Sequence, residues 1–181
     1  MTGSRARSLG RTSTWFDCHR YLFSADVRVA DLACGLGRHA IAAAGCGARV
    51  IGVDRSLERL WGAQAHGADA AVSVSWIRAD LERIPFADGA FDVVMVFNYL
   101  NRDRMPAIER LIRPGGFLLY ETFWTQQRSF GWGPESPRHL LEPGEILRLT
   151  PSLAVEAARE IVEVIGDRSS ARAGGLYKRV Q

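Results

Sequence analysis

The sequence predicts a doubly wound α/β domain with a mostly parallel sheet, on three observations. An apolar run at 27–32 leads into the turn Gly35-Leu36-Gly37, a helical stretch follows, and a second apolar run at 49–53 delivers Asp54. Strand-like and helix-like runs then alternate as far as Glu121, the pattern of βα units and so of a parallel sheet covered by helices. Two late strand-like runs, at 155–164 and 176–180, suit an antiparallel hairpin.

The elements follow in order. Residues 1–14 are rich in Arg and Ser, lack acids and show no apolar face, so they read as a flexible tail rather than a transit peptide. Residues 15–23 read as a short amphipathic helix. Strand 27–32 precedes a helix at 38–44, whose alanines suit close packing on a sheet, with Gly45 and Gly47 ending it. Strand 49–53, a helix at 56–65 capped by Ser56, and strands 73–79 and 91–97 come next. A helix at 104–113 leads through Pro114-Gly115-Gly116, a turn motif, into strand 117–121. From 122 to 143 aromatics, Gly and Pro crowd together, and 141–149 reads as a helix. No internal repeat or domain-sized linker interrupts the chain, so 1–181 reads as one domain.

The chemistry concentrates in the first βαβ segment. Gly35 and Gly37 let the backbone turn sharply and approach a ligand without a Cβ in the way. Asp54, at the end of the next strand, is placed to accept both hydroxyl protons of a ribose. Gly35-Leu36-Gly37-Arg38-His39-Ala40 also satisfies a dinucleotide fingerprint with Ala as its third small residue, so the glycines alone do not choose between cofactors. Asp31 helps, because a carboxylate before the turn would repel a pyrophosphate and attract a cation. S-adenosyl-L-methionine carries an ammonium and a sulfonium and no phosphate, which suits acids at both strand ends better than NAD does.

Asp31-Leu32-Ala33-Cys34-Gly35-Leu36-Gly37 resembles the first motif of class I S-adenosylmethionine-dependent methyltransferases, and Asp54 the acid of their second. Arg78-Ala79-Asp80-Leu81 resembles the third motif, 91–97 the fourth strand, and 111–118 the turn and strand of the fifth. These stretches span about residues 27 to 121, in register. The chain as a whole, with Asn98-Tyr99-Leu100 and Glu121-Thr122-Phe123, is similar to small bacterial methyltransferases of the tellurite-resistance-like group. The resemblance implies a Rossmann-like seven-stranded sheet closed by a C-terminal antiparallel hairpin. It also implies that Asp31 anchors the methionine ammonium, that Asp80 meets the adenine amino group beside the Leu81 backbone, and that Ala33, Cys34, Arg55, Ala79, Phe97 and Asn98 line the cofactor. Cys34 reads as a small packing residue, since no activating base accompanies it. Arg38 is either a carboxylate contact or a solvated arginine.

The acceptor side is less defined. Tyr99 follows the fourth strand and either packs on a helix or faces the site; Asn98-Tyr99 lacks the prolines of the amino-methyltransferase motif, so no amine acceptor is inferred. Glu121, Phe123, Trp124 and His139 belong to a cluster around the loop after the fifth strand, where open sheets carry ligand-binding segments. Two readings stand for 122–143, a substrate lid or an aromatic cover of the sheet edge. Glu145 lies on the following segment, and no catalytic residue is assigned.

Composition bounds the alternatives. The chain of 181 residues has a net charge of +3 and a pI near 9.0, with basic and acidic residues interspersed and Lys178 its only lysine, which weighs against nucleic-acid binding. Three cysteines at unrelated spacings suit reduced thiols in a cytoplasmic protein, and four histidines form no metal-ligand spacing. No run is apolar enough to span a membrane. The expected function is S-adenosylmethionine-dependent methyl transfer to a small-molecule acceptor. An NAD-dependent oxidoreductase and a non-catalytic cofactor-binding module are the rivals.

Overall fold

The computed structural model of the chain describes residues 9–180. These divide at Pro85/Phe86 into two compact units, which contribute three and four strands to a seven-stranded mixed sheet. The expected α/β class and its antiparallel C-terminal pair are both present.

In the first unit, β1 (Arg28–Leu32), β2 (Arg49–Asp54) and β3 (Val74–Arg78) run parallel in the order β3-β2-β1. Apart from its first residue β1 is wholly buried, as a parallel strand with both faces covered should be. Helix α1 (Thr14–Cys18) is capped by the Ser13 hydroxyl, which accepts the Phe16 N–H. It stops short of the helix expected at 15–23, because Nδ1 of His19 lies 2.7 Å from the Trp15 carbonyl and a separate 3-10 turn covers Arg20–Leu22. Helix α2 (Arg38–Gly45) buries Ala40, Ile41 and Ala43, and α3 (Leu57–Asp69) starts at the Ser56 cap and buries Leu60 and Ala63. The tail expected over 1–14 lies for the most part outside the described residues. Of the rest, the Arg11 carbonyl accepts from Arg38 and Ser13 caps α1.

In the second unit, β4 (Phe91–Phe97) lies parallel to β5 (Ile112–Phe123), and β7 (Arg168–Lys178) pairs antiparallel with both β5 and β6 (Ala154–Ile165). Its core holds Tyr177 together with Val94, Met95, Ile108, Leu118 and Leu119, these last five each worth about 1.5 to 3 kcal/mol on burial. Helix α4 (Met105–Arg110) is shorter than expected because Ile112 already belongs to β5. The Pro114-Gly115-Gly116 motif lies inside β5, where the pairing with β4 shifts between Phe91 and Val93. No α-helix forms over 141–149. Leu141 is bridged to Trp124, Pro143 has no N–H to give, and only Glu145–Leu147 makes a 3-10 turn. Strand β7 starts well before 176, through a run of small residues that admits the Tyr177 ring, whose hydroxyl donates to the Ile146 carbonyl.

Candidate cofactor site

The first unit brings its predicted residues together at the carboxyl ends of three neighbouring parallel strands, where open α/β sheets bind ligands. The chain leaves β1 through Ala33, held left-handed at φ 55°, and the Cys34 N–H bonds the Val53 carbonyl of β2 at 2.9 Å. Left-handed backbone at a residue with a Cβ is strain that persists only where the surroundings enforce it. Gly35 and Gly37 are also left-handed, yet they face different ways. A Cβ on Gly35 would meet nothing within 4 Å, whereas one on Gly37 would lie 2.4 Å from the Trp76 ring. The open side of the turn is therefore at Gly35.

Asp54 ties the turn to β2. Its Oδ2 accepts the Gly35 N–H and its Oδ1 the Ser56 N–H, both at 2.9 Å, and the Arg59 guanidinium stands 3.9 Å away. The carboxylate is held in one orientation with lone pairs left over on each oxygen. Asp31 is different. It is 2% exposed, and among the described residues its carboxylate takes one hydrogen bond, from the Ala40 N–H at 3.1 Å. Burial pushes its pKa up to about 7, against the opposing pull of that amide and of Arg38. Burial also drives the Cys34 thiol upward, with the Asp31 and Asp54 carboxylates adding to it, so the thiol stays protonated and acts as packing.

The remaining first-unit residues sit beside these. Ala79 donates its N–H to the Asp54 carbonyl, and Arg55, exposed, offers its own carbonyl to Arg78. Asp80 is exposed and caps the 3-10 turn Leu81–Arg83 through the Glu82 N–H at 3.0 Å, while Leu81 is buried. Arg38 donates to the Arg11 carbonyl, and buried His39 accepts the Ser13 N–H on Nε2, which places the proton on Nδ1.

Residues 29–116 match the model of a family described as a methyltransferase domain. Over this stretch, just under half of its length, the chain is similar to methyltransferase domains. A stretch of 122 residues, 64% of the chain, is 32% identical to the ubiquinone biosynthesis O-methyltransferase of Burkholderia orbicola strain MC0-3, of which it covers 52%. The chain thus spans about half the length of the curated relatives it matches. Two solved structures share the fold: a SAM-dependent methyltransferase of Methanosarcina mazei, at a TM-score of 0.76 and 15% identity over 94% of this chain and 99% of that one, and an S-adenosylmethionine-dependent methyltransferase of Mesorhizobium loti, at 0.73 and 20% over 93% and 99%.

The donor set of this site fits S-adenosyl-L-methionine, the cofactor named for both solved structures. An under-bonded buried carboxylate suits a cation, a fixed second carboxylate suits two hydroxyl groups, and the turn between them is open at Gly35. Among the described residues no group of three or more His, Cys, Asp or Glu side chains is arranged to hold a metal ion.

In the second unit, Phe97 is buried, and Asn98 is exposed and left-handed at φ 58°, its N–H bonded to the Glu121 carbonyl. The Tyr99 carbonyl accepts the Tyr120 hydroxyl at 2.6 Å. Glu121, expected to meet substrate, is 0% exposed and clamped at 2.8 Å by both Arg159 and Arg172, so it has no surface to offer a ligand. Arg172 also lies over the Phe123 ring at 4.2 Å, and Phe123 meets Trp132 edge-on. The Trp124 indole donates to the Ile161 carbonyl, and His139 is exposed on a 3-10 turn. The segment expected as a lid is stapled to β7: buried Gln127 accepts the Ala171 N–H and donates to the Trp132 carbonyl, while the Trp132 indole donates to Ser169. Sequence reasoning missed Gln127, Arg159 and Arg172. No local signal marks the two arginines, since β6 also carries Glu156, Glu160 and Glu163 and β7 opens on Arg168. Glu145 is paired with Arg102, whose hydrogen bond holds its carboxyl below the usual range and makes it a poor base.

Proposed function

We propose that this protein transfers the methyl group of S-adenosylmethionine to an oxygen of a small-molecule acceptor. The reading rests on one observation above the others, the under-bonded buried Asp31 beside a glycine turn open at Gly35 and tied to Asp54. The name O-methyltransferase borne by the Burkholderia relative supports oxygen as the methylated atom. When bound, the cofactor supplies a methyl already activated by its positive sulfur. Asp31 holds the cationic end, Asp54 the ribose hydroxyls, and Asp80 with the Leu81 backbone the adenine edge. Fixing the reacting groups in line while excluding water is worth about 7 to 11 kcal/mol in well-oriented intramolecular reactions, so a side-chain base is needed only where the acceptor must first lose a proton.

In this reading 1–181 acts as a single methyltransferase domain. The partly exposed Phe123, Trp124 and Trp132, with Tyr99 and His139, belong to the acceptor side, with residues 122–143 as a fixed wall. The partner is a small molecule rather than nucleic acid or membrane, and the location is cytoplasmic. In support, no described helix is long and apolar enough to cross a membrane. An NAD-dependent oxidoreductase is disfavoured, because Asp31 would face a pyrophosphate.

The test is turnover of methyl-labelled S-adenosylmethionine against a panel of phenols, catechols, amines and thiols. Label on a hydroxyl-bearing acceptor, lost when that hydroxyl is replaced by hydrogen, is the expected outcome. Label only on amines or thiols overturns the oxygen assignment, and binding without transfer to any acceptor favours a non-catalytic module.

A further inference from the structure

Trp76 lies mid-strand in β3, opposite Gly52 of β2. A Cβ added at Gly52 would stand 2.4 Å from Cζ3 of Trp76, 2.5 Å from Cε3, and 3.2 Å from Sγ of Cys34. At Gly37 it would stand 2.4 Å from Cη2 of the same indole and 3.1 Å from Cβ of Ala63. Gly67 of α3 borders the ring at ordinary contact distance, 3.8 Å. One indole therefore packs on bare backbone at two places, the strand that ends in Asp54 and the turn whose Gly35 N–H that aspartate holds. With no side chain interposed, movement of a rigid ring passes to the turn with little slack.

The turn depends on such support. It carries Ala33 in a left-handed conformation, and helix α2 starts at Gly37, whose carbonyl accepts the Ile41 N–H at 2.8 Å. The second glycine, read from sequence as room for a ligand, makes room for Trp76 instead.

We infer that Trp76 is a positioning residue for the cofactor turn, acting through Gly37 to keep the Gly35 amide and the Asp54 carboxylate in their paired geometry. Its consequence for cofactor affinity rests on the reading of residues 31–81 as the cofactor cradle. Trp76→Leu leaves a void under the turn, and Gly52→Ala drives the ring toward it. In the ligand-free full chain, amide hydrogen exchange at residues 35 and 37 rises at least tenfold in Trp76→Leu relative to exchange in α3. In calorimetric titration with S-adenosylhomocysteine, each variant binds at least tenfold more weakly than the parent chain. The double variant Gly52→Ala/Trp76→Leu recovers a part of both losses, because the added methyl occupies space the ring has left. A merely structural core role would lower stability and loosen the whole first unit alike, with no excess exchange at residues 35 and 37.

Unchanged exchange at residues 35 and 37 in folded Trp76→Leu overturns the inference, and so does a double variant worse than either single one. A parent chain that fails to bind S-adenosylhomocysteine, while Trp76→Leu still loosens those amides, overturns the cradle reading and upholds the role of Trp76.

Discussion

Asp31 and Glu121 are both sealed inside the protein near the carboxyl ends of strands, at 2% and 0% exposure, yet one is short of partners and the other has a partner on each oxygen. Glu121 takes a guanidinium on each oxygen, from Arg159 and Arg172. Asp31 takes one amide and responds by holding its proton up to about pH 7. Burial alone does not mark a functional acid. A carboxylate whose desolvation is answered by protein charges is part of the framework, and one left under-bonded beside an open turn has room for a cationic ligand to complete it.

The widest break in that contrast comes from Glu121→Ala, which takes the shared carboxylate from buried Arg172 and half-buried Arg159. It should lower unfolding free energy by about 3 to 5 kcal/mol, the usual loss when one partner of a buried charge cluster is removed. Denaturant titration checks it, and a loss below about 1 kcal/mol would show that the clamp is not structural. Asp54→Ala comes next. It removes the acceptor that fixes Gly35 and the group assigned to the ribose, so affinity for S-adenosylhomocysteine should fall by about 1.5 to 3 kcal/mol for each charged hydrogen bond lost. A binding constant within twofold of the parent would dissociate Asp54 from the site.

Asp31→Asn sharpens the contrast through pH. Because burial raises the folded-state pKa of Asp31 above its ordinary 3.8 to about 7, the folded chain binds this proton more tightly than the unfolded chain between those values. The stability contributed by Asp31 is therefore fully present at acid pH, declines as pH climbs through that window, and is level above it. Asp31→Asn should flatten the decline. Ligand affinity runs the other way, since a cation needs the carboxylate, and should rise with pH by at most about tenfold per unit until near pH 7. The smallest effect belongs to Arg102→Ala. Its pairing with Glu145 is partly exposed, and thermal melting should report about 0 to 1 kcal/mol.

How much was legible in the sequence follows the same division. β1, β2 and β3 are bounded by turns and caps that depend on near neighbours, and their limits fall within a residue or two of the expected ones. The same holds for β4, a buried run of apolar residues. β7 was missed over most of its length, because Ala171, Ala173, Gly174 and Gly175 have little strand propensity. They are held in the sheet by neighbours on both sides and by the space Tyr177 needs. The helix expected over 141–149 has helical spacing on paper, but the bridge from Leu141 to Trp124 takes its first residue elsewhere.

The candidate site divides likewise. Asp31, the glycine turn and Asp54 were legible because one βαβ unit supplies them all. The clamp on Glu121 was not, since Arg159 and Arg172 lie 38 and 51 residues along the chain and only pairing through β7 brings them in. Gly37 was legible as necessary but not for the right reason, because the indole beneath it comes from a strand whose register cannot be read locally.

The most direct test of the central claim is calorimetric titration of the full chain with S-adenosylhomocysteine at pH 6 and pH 8, with NADH as the parallel ligand. One site for S-adenosylhomocysteine, tighter at pH 8, with no heat from NADH, is the predicted result. Binding of NADH in its place, or S-adenosylhomocysteine affinity that weakens from pH 6 to pH 8, would contradict the assignment of Asp31 as the carboxylate that receives the cation.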